Sequence, residues 1–183
     1  TPALCNRIDR NTGGIVMAAK NAETLRILNQ KIRDREIAKF YLAIVHGRMK
    51  PSQGKLEGFL LKDEDRAQVK VFSRPVPGGK SAATLYKTLR TAGGLSLVEC
   101  ELLTGRTHQI RAQFAAAGHP LLGDGKYGRE RDNKKYGRSF QALYSYKLAF
   151  PTDAGLLEYL RGRVFTVEQV DFVAEYFPTG ERV

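Results

Sequence analysis

Apolar positions in the first quarter of the chain follow strand-like and helix-like spacing in turn. The run GGIVMAAK, residues 13–20, is apolar up to its last residue, contains β-branched residues and opens on glycines, which predicts a buried strand. Apolar residues then recur at helical spacing over 22–34, so an amphipathic helix capped by Asn21 is expected there. The alternating segment KFYLAIVHG, residues 39–47, predicts a second strand.

The middle of the chain is predicted to add three more strands. Residues 54–73 contain two short strand patterns, which the acidic turn at 63–65 joins. The segment SRPVPGG, residues 73–79, has the composition of a turn-rich loop. After it, SAATLYKTLR at 81–90 alternates as a strand does.

The third quarter of the chain predicts a strand followed by a helix. LSLVECELL, residues 95–103, has strand composition. A helix is expected over 108–117, capped by Thr107 and ended by Gly118. The predicted buried stripe of this helix is Ile110, Phe114 and Ala117.

The last quarter combines a charged segment with two further elements. Residues 129–138 show no periodicity and predict a flexible, mostly basic loop. A strand is expected at 141–150 and a hairpin at 156–165. Thr166 and Gln169 have capping-box spacing before a C-terminal helix. The predicted buried face of that helix is Val170, Val173, Ala174 and Phe177.

Composition changes this picture mainly through charge. The chain has 183 residues, and 30 Lys and Arg against 19 Asp and Glu give a net charge of +11. Such an excess favours a polyanionic partner, most often nucleic acid, although a basic but merely soluble protein is the alternative. The predicted elements show no repeat or linker, so residues 1–183 are expected to form one domain.

Cysteine usage and hydropathy bear on location. Cys5 and Cys100 have no metal-ligand spacing and no disulfide-framework pattern, which suits a reducing cytoplasm. No run approaches the roughly 18 apolar residues of a membrane span. No charged-then-apolar leader opens the chain. Its first residue is Thr1 rather than Met, so we expect either a trimmed chain or one whose beginning is missing.

The segment NRIDRNTGG, residues 6–14, carries the first candidate chemistry. Asp9 lies between Arg7 and Arg10, and cations that close hold a carboxylate ionised. An ionised carboxylate in a fixed position can act as a nucleophile or a general base. A surface turn with a solvated ion pair is the alternative for the same residues.

Three motifs and one shorter segment, in order along the chain, together resemble those of the RluA-type pseudouridine synthases; the segment is S/A-x-T-x-Y, with Thr84 and Tyr86. The first resembles H-R-L-D-x-x-T-S-G, with Asn6 for His, Ile8 for Leu, Gly13 for Ser, and Arg7, Asp9, Thr12 and Gly14 at the fixed positions. The second resembles K-x-Y-x-A-x-V-x-G, at Lys39, Tyr41, Ala43, Val45 and Gly47. The third resembles T-G-R-T-H-Q-[IL]-R at 104–111, followed by G-H-P-[IL]-x-G-D-x-x-Y-G at 118–128.

This resemblance implies an α+β domain with a mixed, mainly antiparallel central sheet, flanking helices and a cleft across its middle. The implied reaction is isomerisation of uridine to pseudouridine in RNA, without cofactor or metal. It implies that Asp9 is the catalytic carboxylate, that Arg111 is its basic partner and that Tyr41 stacks on the target base. Ile110 matches a position that lines the pocket.

Three further residues are candidates for binding substrate. Arg7 is expected to fill the gap left by a flipped base or to grip phosphate. Arg106 is expected to bind phosphate or to cap a neighbouring loop. His108 shares a helix face with Arg111, and a hydrogen-bonded structural role is its alternative; His46 and His119 are expected to be a surface residue and a turn residue.

The sequence leaves the RNA target open and allows two rival functions. The expected target is large-subunit rRNA, with tRNA as the alternative, and the expected protein is a monomer. A non-catalytic RNA-binding module on the same scaffold is a rival, as is a nuclease, which would need clustered carboxylates for metal ions. The family's domain normally opens with a strand and a K-P-x-G segment, which this sequence lacks before residue 6.

Overall fold

The structure is a computed structural model that describes residues 1–152 and 157–178. Ten strands and four helices occur in this part of the chain. The strands are β1 (Ala3–Leu4), β2 (Gly13–Gly14), β3 (Ala18–Ala19), β4 (Ala38–His46), β5 (Gln53–Asp63), β6 (Gln68–Phe72), β7 (Lys80–Ala92), β8 (Leu95–Leu102), β9 (Leu143–Ala149) and β10 (Val164–Thr166). The helices are α1 (Ala22–Arg33), α2 (Gln109–Ala116), α3 (Glu130–Tyr136) and α4 (Asp171–Tyr176), with one 3₁₀ turn at Glu158–Leu160.

An eight-stranded sheet dominates the fold of the described residues. Its strand order is β10-β9-β4-β8-β7-β5-β6, and β2 adds a short parallel pairing to β9. Every other pairing in this sheet is antiparallel, which confirms the predicted mixed, mainly antiparallel α+β class. The long central strands β4, β7 and β8 match the segments where alternation predicted strands.

The two faces of the sheet bury separate apolar clusters because side chains alternate along each strand. On β4, Tyr41, Ala43 and Val45 pack with Ile110 and Phe114 of α2. The neighbouring Leu42 and Ile44 point the other way and pack with Phe172 and Phe177 at the C-terminal helix α4. The cleft described below lies on the α2 side of the sheet.

Helix α2 is held on β7 by buried side-chain amides as well as by apolar contacts. Gln109 Nε2 donates to Thr84 Oγ1 at 2.8 Å and to the Ala83 carbonyl at 3.0 Å. Thr84 Oγ1 in turn donates to Gln113 Oε1 at 2.7 Å. Satisfied buried networks of this kind fix one arrangement, since any slip would leave polar groups unpaired. The predicted buried stripe of α2 was too narrow, because all residues from 109 to 114 are buried. It also wrongly included Ala117, which is exposed.

The predicted strand at 13–20 was wrong as a single element. The segment divides into β2, which pairs with β9, and β3, which pairs antiparallel with β1. Gly14 has φ +121°, and a Cβ there would collide with the Ser145 carbonyl oxygen. The glycine that signalled a strand boundary is therefore required by close backbone approach and a positive φ.

The prediction of a loop at 129–138 was also wrong, because residues 130–136 form α3. Glu130 and Asp132 stand in its first turn and lysines in its last, which suits the helix dipole. Gly137 ends it with φ +68°. Buried Asn133 anchors α3, because its Oδ1 accepts from Gly123 N at 2.8 Å and its Nδ2 donates to the Asp124 carbonyl at 3.1 Å.

Helix caps were predicted with mixed success. Asn21 does cap α1, accepting from Thr24 N at 2.9 Å. Helix α2 begins after His108, which has φ 54°, so Thr107 is not its cap. Helix α4 begins after Val170, outside the predicted capping box, and Ala174 on the predicted buried face is exposed. The expected hairpin at 156–165 begins outside the described residues, and within it β10 pairs with β9.

Candidate active site

The Asp9 segment is a pinned loop between β1 and β2. A turn brings Thr12 N to the Asp9 carbonyl at 3.0 Å. Gln141, which precedes β9, donates through Nε2 to the Arg10 carbonyl at 2.6 Å and to Thr12 Oγ1 at 3.2 Å. Parallel pairing of β2 with β9 then fixes the end of the loop, so the sheet determines where Asp9 stands.

Asp9 faces a cleft that draws residues from all three sequence motifs. The cleft holds a cavity of about 70 Å³ between the Asp9 loop, β4 and the start of α2. Its lining residues are Arg7, Ile8, Asp9, Thr12, Lys39, Tyr41, Leu102, Gly105, Arg106, Gln109, Ile110 and Leu143. The structure thus brings together five of the seven predicted site residues. A cavity of this volume is smaller than a nucleoside, so the cleft must widen to admit one.

Tyr41 lies on β4 and is 7% exposed. A β-bulge in the β4–β9 pairing falls between Phe40 and Tyr41, and bulges of this kind re-aim side chains. Burial raises the pKa of the Tyr41 hydroxyl, a hydrogen bond with the Ser145 side chain opposes this, and the negative charge of Asp9 adds to it. Ser145 also accepts from Ile15 N at 2.8 Å through its carbonyl, so one residue bonds both to Tyr41 and to the segment that follows the Asp9 loop.

Arg111 makes its ion pair with Asp124 rather than with Asp9. Its Nε donates to Asp124 Oδ2 at 2.7 Å and its Nη2 to Asp124 Oδ1 at 3.0 Å, and Asp124 is fully buried. Arg111 was predicted to be the basic partner of Asp9; its hydrogen-bonded partner is Asp124, while Asp9 acts on it through charge, so its role toward Asp9 stays a prediction. Burial opposes the charge on Arg111, but the hydrogen bonds and charge of Asp124, with a smaller contribution from Asp9, raise its pKa.

His108 stands behind the cleft rather than in its lining. Its Nδ1 lies 2.8 Å from the Tyr127 hydroxyl, which also accepts from Val69 N at 2.9 Å. Arg111 lies over the same tyrosine ring, 5.2 Å from its centroid. Burial lowers the pKa of His108, and the charge of Asp9 opposes this. The hydrogen-bonded structural reading of His108 agrees with these contacts better than substrate binding does.

The remaining predicted residues are placed as follows. Ile110 is buried and lines the cleft, and Arg7 is exposed at its edge. Arg106 both lines the cleft and caps a neighbouring strand, because its Nε donates to the Ser81 carbonyl at 2.9 Å. His46 was expected at the surface, but it is half-buried with its Nε2 2.8 Å from Asn133 Oδ1.

Among the residues that line or support the site without having been predicted as site residues, four carry polar or charged groups that matter to its electrostatics or its anchoring. Asp124, Tyr127 and Gln141 support the cleft through the bonds described above, and Lys39 lines it directly. Asp124 and Tyr127 stand in the G-D-x-x-Y-G part of the third motif, which was the available signal. Burial would raise the pKa of Asp124, but the Arg111 hydrogen bond and the backbone N–H groups of Tyr127 and Lys126 hold it below its ordinary value.

The described residues contain neither a metal-ligand cluster nor a membrane-spanning helix. No group of three or more His, Cys, Asp or Glu side chains in residues 1–152 and 157–178 could hold a metal ion. No helix within the same ranges is long and apolar enough to cross a membrane.

A larger cavity lies elsewhere, between α1 and the β9–β10 edge of the sheet. It measures about 880 Å³, and its walls are mainly apolar, including Met17, Leu28, Leu148 and Phe150. Lys20 is the charged side chain in its described lining. Size therefore does not mark the site here, because the smaller cleft holds the carboxylate, the tyrosine and the cations.

Comparison with known proteins gives one consistent result. Residues 1–116 match the RNA pseudouridylate synthase family. Ribosomal large subunit pseudouridine synthase D of Borreliella burgdorferi is 39% identical over 147 residues, which are 80% of this chain and 44% of that protein. Ribosomal large subunit pseudouridine synthase C of Vibrio parahaemolyticus is 39% identical over 128 residues, 70% of this chain and 39% of that protein.

The fold comparison agrees with the sequence comparison. Human RNA Pseudouridylate Synthase Domain Containing 4 superposes with a TM-score of 0.78 at 22% identity, covering 97% of this chain and 75% of that one. The chain thus shares its fold with that protein, and it spans less than half the length of the two bacterial relatives.

Proposed function

The chain belongs to the RNA pseudouridylate synthase family, and from that premise we propose that it isomerises uridine to pseudouridine in RNA. The observation that carries the proposal is the meeting of Asp9 and Tyr41 in one cleft, 32 positions apart in sequence but both in its lining. A carboxylate and an aromatic ring on opposite walls suit a reaction on a flat base attached to a sugar.

The reaction requires one bond to break and another to form at the same sugar carbon. The glycosidic bond from uracil nitrogen 1 to the sugar is cleaved, the base turns, and ring carbon 5 bonds to the sugar carbon instead. Carbon 5 loses a proton and nitrogen 1 gains one, so the product is an isomer of the substrate. Asp9 is the group in the described cleft that can attack the sugar carbon or the ring, or take a proton from the sugar.

Tyr41 is proposed to hold the base while it turns. A base that leaves a helix loses its stacking, and an aromatic face restores part of that loss. A tyrosine hydroxyl is protonated at neutral pH, and burial, which raises the pKa of Tyr41, favours that form further, so the ring stays uncharged beside Asp9. Ile110 provides an apolar surface in the same cleft.

Arg111 is proposed to act on Asp9 as a fixed positive charge at a distance. Its bidentate bond to Asp124 holds the guanidinium in one orientation, while its pKa still responds to the charge of Asp9. In a partly desolvated cleft such a charge matters more than it does in water. The Arg111–Asp124 pair would therefore support Asp9 without itself touching the substrate.

RNA binding is supported by the charge of the chain. Everting a nucleotide costs a few kcal/mol, which contacts between cations and phosphate offset. A net charge of +11 supplies such cations, and Arg7 at the edge of the cleft can move into the gap that the base leaves. Both bacterial relatives carry names that specify the large ribosomal subunit, so we propose large-subunit rRNA as the target and a cytoplasmic location.

The decisive experiment is mapping of pseudouridine in rRNA treated with the wild-type chain and with Asp9→Asn. We expect the wild type to form pseudouridine at defined positions and the variant to form none, while RNA binding by the variant persists. An Asp9→Asn variant with full activity would refute the role of Asp9. Binding of RNA by the wild type without any product would favour the non-catalytic module instead.

A further inference from the structure

A groove with positively charged walls continues from the cleft toward the end of α1. It measures about 330 Å³ and shares Lys39, Leu102, Gly105 and Arg106 with the cleft. Its lining residues are Ile32, Arg33, Arg35, Ile37, Lys39, Leu102, Leu103, Thr104, Gly105 and Arg106. The four cations in this lining, Arg33, Arg35, Lys39 and Arg106, define what we call the basic groove.

The acidic residues near the basic groove are engaged outside its lining. Glu36 pairs with Lys31 at 3.3 Å. Asp34 accepts a hydrogen bond from Gln30 Nε2 at 2.8 Å. No carboxylate lines the groove in the part of the chain that the structure describes, so its positive charge is not neutralised locally.

Lys39 sits where the groove meets the cleft. Burial lowers the pKa of its ammonium, and no carboxylate contributes to that shift. Among the described residues, Lys39 makes no ion pair. Gly105 leaves room for it, because a Cβ there would lie 3.3 Å from Lys39 Nζ. A half-buried cation without a partner is costly unless an anion arrives to pair with it.

Arg35 occupies a backbone position that favours glycine. The end of α1 is a Schellman motif, in which Glu36 N bonds to the Lys31 carbonyl at 3.0 Å and Arg35 N to the Ile32 carbonyl at 3.1 Å. Arg35 has φ 58°, the left-handed conformation that costs a residue with a Cβ about 1 kcal/mol or more. The chain therefore keeps an exposed arginine in the groove at some cost in stability.

We propose that the basic groove binds the phosphodiester backbone of the RNA strand that flanks the everted uridine, with Lys39 and Arg35 each contacting a phosphate. This inference rests on the proposed function, since it places the RNA relative to the cleft that holds Asp9. Flexible lysine and arginine side chains around an apolar floor suit a single strand held mainly through its phosphates.

The test uses the 183-residue chain and a labelled, uridine-containing single-stranded RNA oligonucleotide, with binding measured over a range of salt concentrations. Arg35→Gly removes the charge and also relieves the backbone strain. We expect the variant to melt at or above the wild-type temperature. The salt slope, which is the slope of the logarithm of the binding constant against the logarithm of the salt concentration, should fall in magnitude by about 0.7, the value of one phosphate contact on a single strand. Arg35→Gly combined with Lys39→Gln removes both proposed phosphate contacts and should reduce the slope by about 1.4.

The matched control is Arg48→Gln, which removes one exposed charge beyond the opposite end of β4. Lys39 and His46 stand near the two ends of this strand, roughly 23 Å apart at the usual rise per residue. Arg48→Gln should bind with the wild-type slope. The proposal is overturned if the wild type shows no salt-dependent binding, if Arg35→Gly keeps the wild-type slope, or if Arg48→Gln loses as much as Arg35→Gly.

Failure of the groove and failure of the proposed function can be told apart. Product formation by the wild type on ribosomal RNA tests the reaction alone, whatever the groove variants do. Loss of salt slope in the groove variants, without product from the wild type, would leave the groove as an RNA site and remove the enzymatic proposal. Product from the wild type, with unchanged salt slopes in the groove variants, would support the enzymatic proposal and overturn the groove proposal.

Discussion

Arg111 and Asp124 face each other through two parallel hydrogen bonds, of 2.7 and 3.0 Å, in the buried space behind the cleft. The guanidinium that resemblance assigned to Asp9 is thus held by a second carboxylate. This arrangement separates two tasks, because Asp124 orients the cation while Asp9 stays free to face the cleft. It also makes the stability of the protein depend on the ionisation of Asp124.

Acid should weaken the fold through Asp124. Its pKa in the folded protein lies below its ordinary value, so the ionised form contributes stability at neutral pH. That contribution declines as the pH falls below about 4 and disappears once the folded-state pKa has been passed. Urea unfolding of the wild type and of Asp124→Asn at pH 7 and pH 3 measures the effect. The two proteins should differ by about 3–5 kcal/mol at pH 7 and by less at pH 3.

Asp65→Asn is the control for that experiment, since Asp65 is exposed in the turn after β5. It should follow the wild-type dependence on pH. Equal stability of Asp124→Asn and the wild type at pH 7 would show that the buried pair does not stabilise the fold.

A double variant separates the catalytic role of Arg111 from its structural role. Arg111→Met alone leaves the buried Asp124 carboxylate without its partner and should cost about 3–5 kcal/mol. Adding Asp124→Asn removes the stranded charge, so much of the stability should return. Product formation should stay low in the double variant, because no cation then acts on Asp9. Recovery of both stability and turnover would show that Arg111 is structural.

Gln141 is predicted to matter for turnover more than for folding. Gln141→Met has similar length but cannot donate to the Arg10 carbonyl or to Thr12, so the Asp9 loop loses its side-chain anchor. We expect a stability loss of about 1–3 kcal/mol and a drop in turnover of about tenfold or more, since catalytic geometry is sensitive to small displacements.

Gln68→Met is the matched control for Gln141, because Gln68 also donates its amide to a carbonyl, that of Lys126, but outside the cleft. Single-turnover rates, together with thermal unfolding of both variants, compare the two effects. Equal turnover in the two variants would contradict the anchoring role.

Tyr41 should act through its ring more than through its hydroxyl. Tyr41→Phe keeps the aromatic face and loses only the hydrogen bond with Ser145, so most turnover should survive. Tyr41→Leu removes the face and with it about 1–3 kcal/mol of stacking on the base. Turnover of both variants on the same RNA tests this, and equal rates would exclude stacking as the contribution of Tyr41.

Local patterns predicted most of the scaffold because they express local physics. Helix α1 and strand β4 begin and end within one residue or so of the predicted bounds, since their apolar spacing agrees with their burial. Residues 130–136 were misread because a charged composition outweighed the acidic first turn and the terminal Gly137. The run at 13–20 was misread because pairing partners far away in sequence decide where it divides.

The site was predictable in its residues more than in its contacts. Asp9, Tyr41 and Ile110 do line one cleft, as their motifs implied. The partner of Arg111 was not predictable from sequence spacing, because two carboxylates lie within the motifs and only the packing of α2 against the 121–124 turn selects Asp124. Lys39 was noted only as a motif position, since a lysine at a strand end gives no local sign that it lies half-buried in the lining of a cleft.

The two bonds of Ser145 have a consequence for how the protein tolerates change. Its main chain holds the segment after Asp9 and its side chain bonds to Tyr41, so one position on β9 contributes to placing both groups. Gln141, just before β9, holds the Asp9 loop from the same end of the strand. A substitution that shifts the backbone at this end of β9 would therefore disturb the carboxylate and the aromatic ring together.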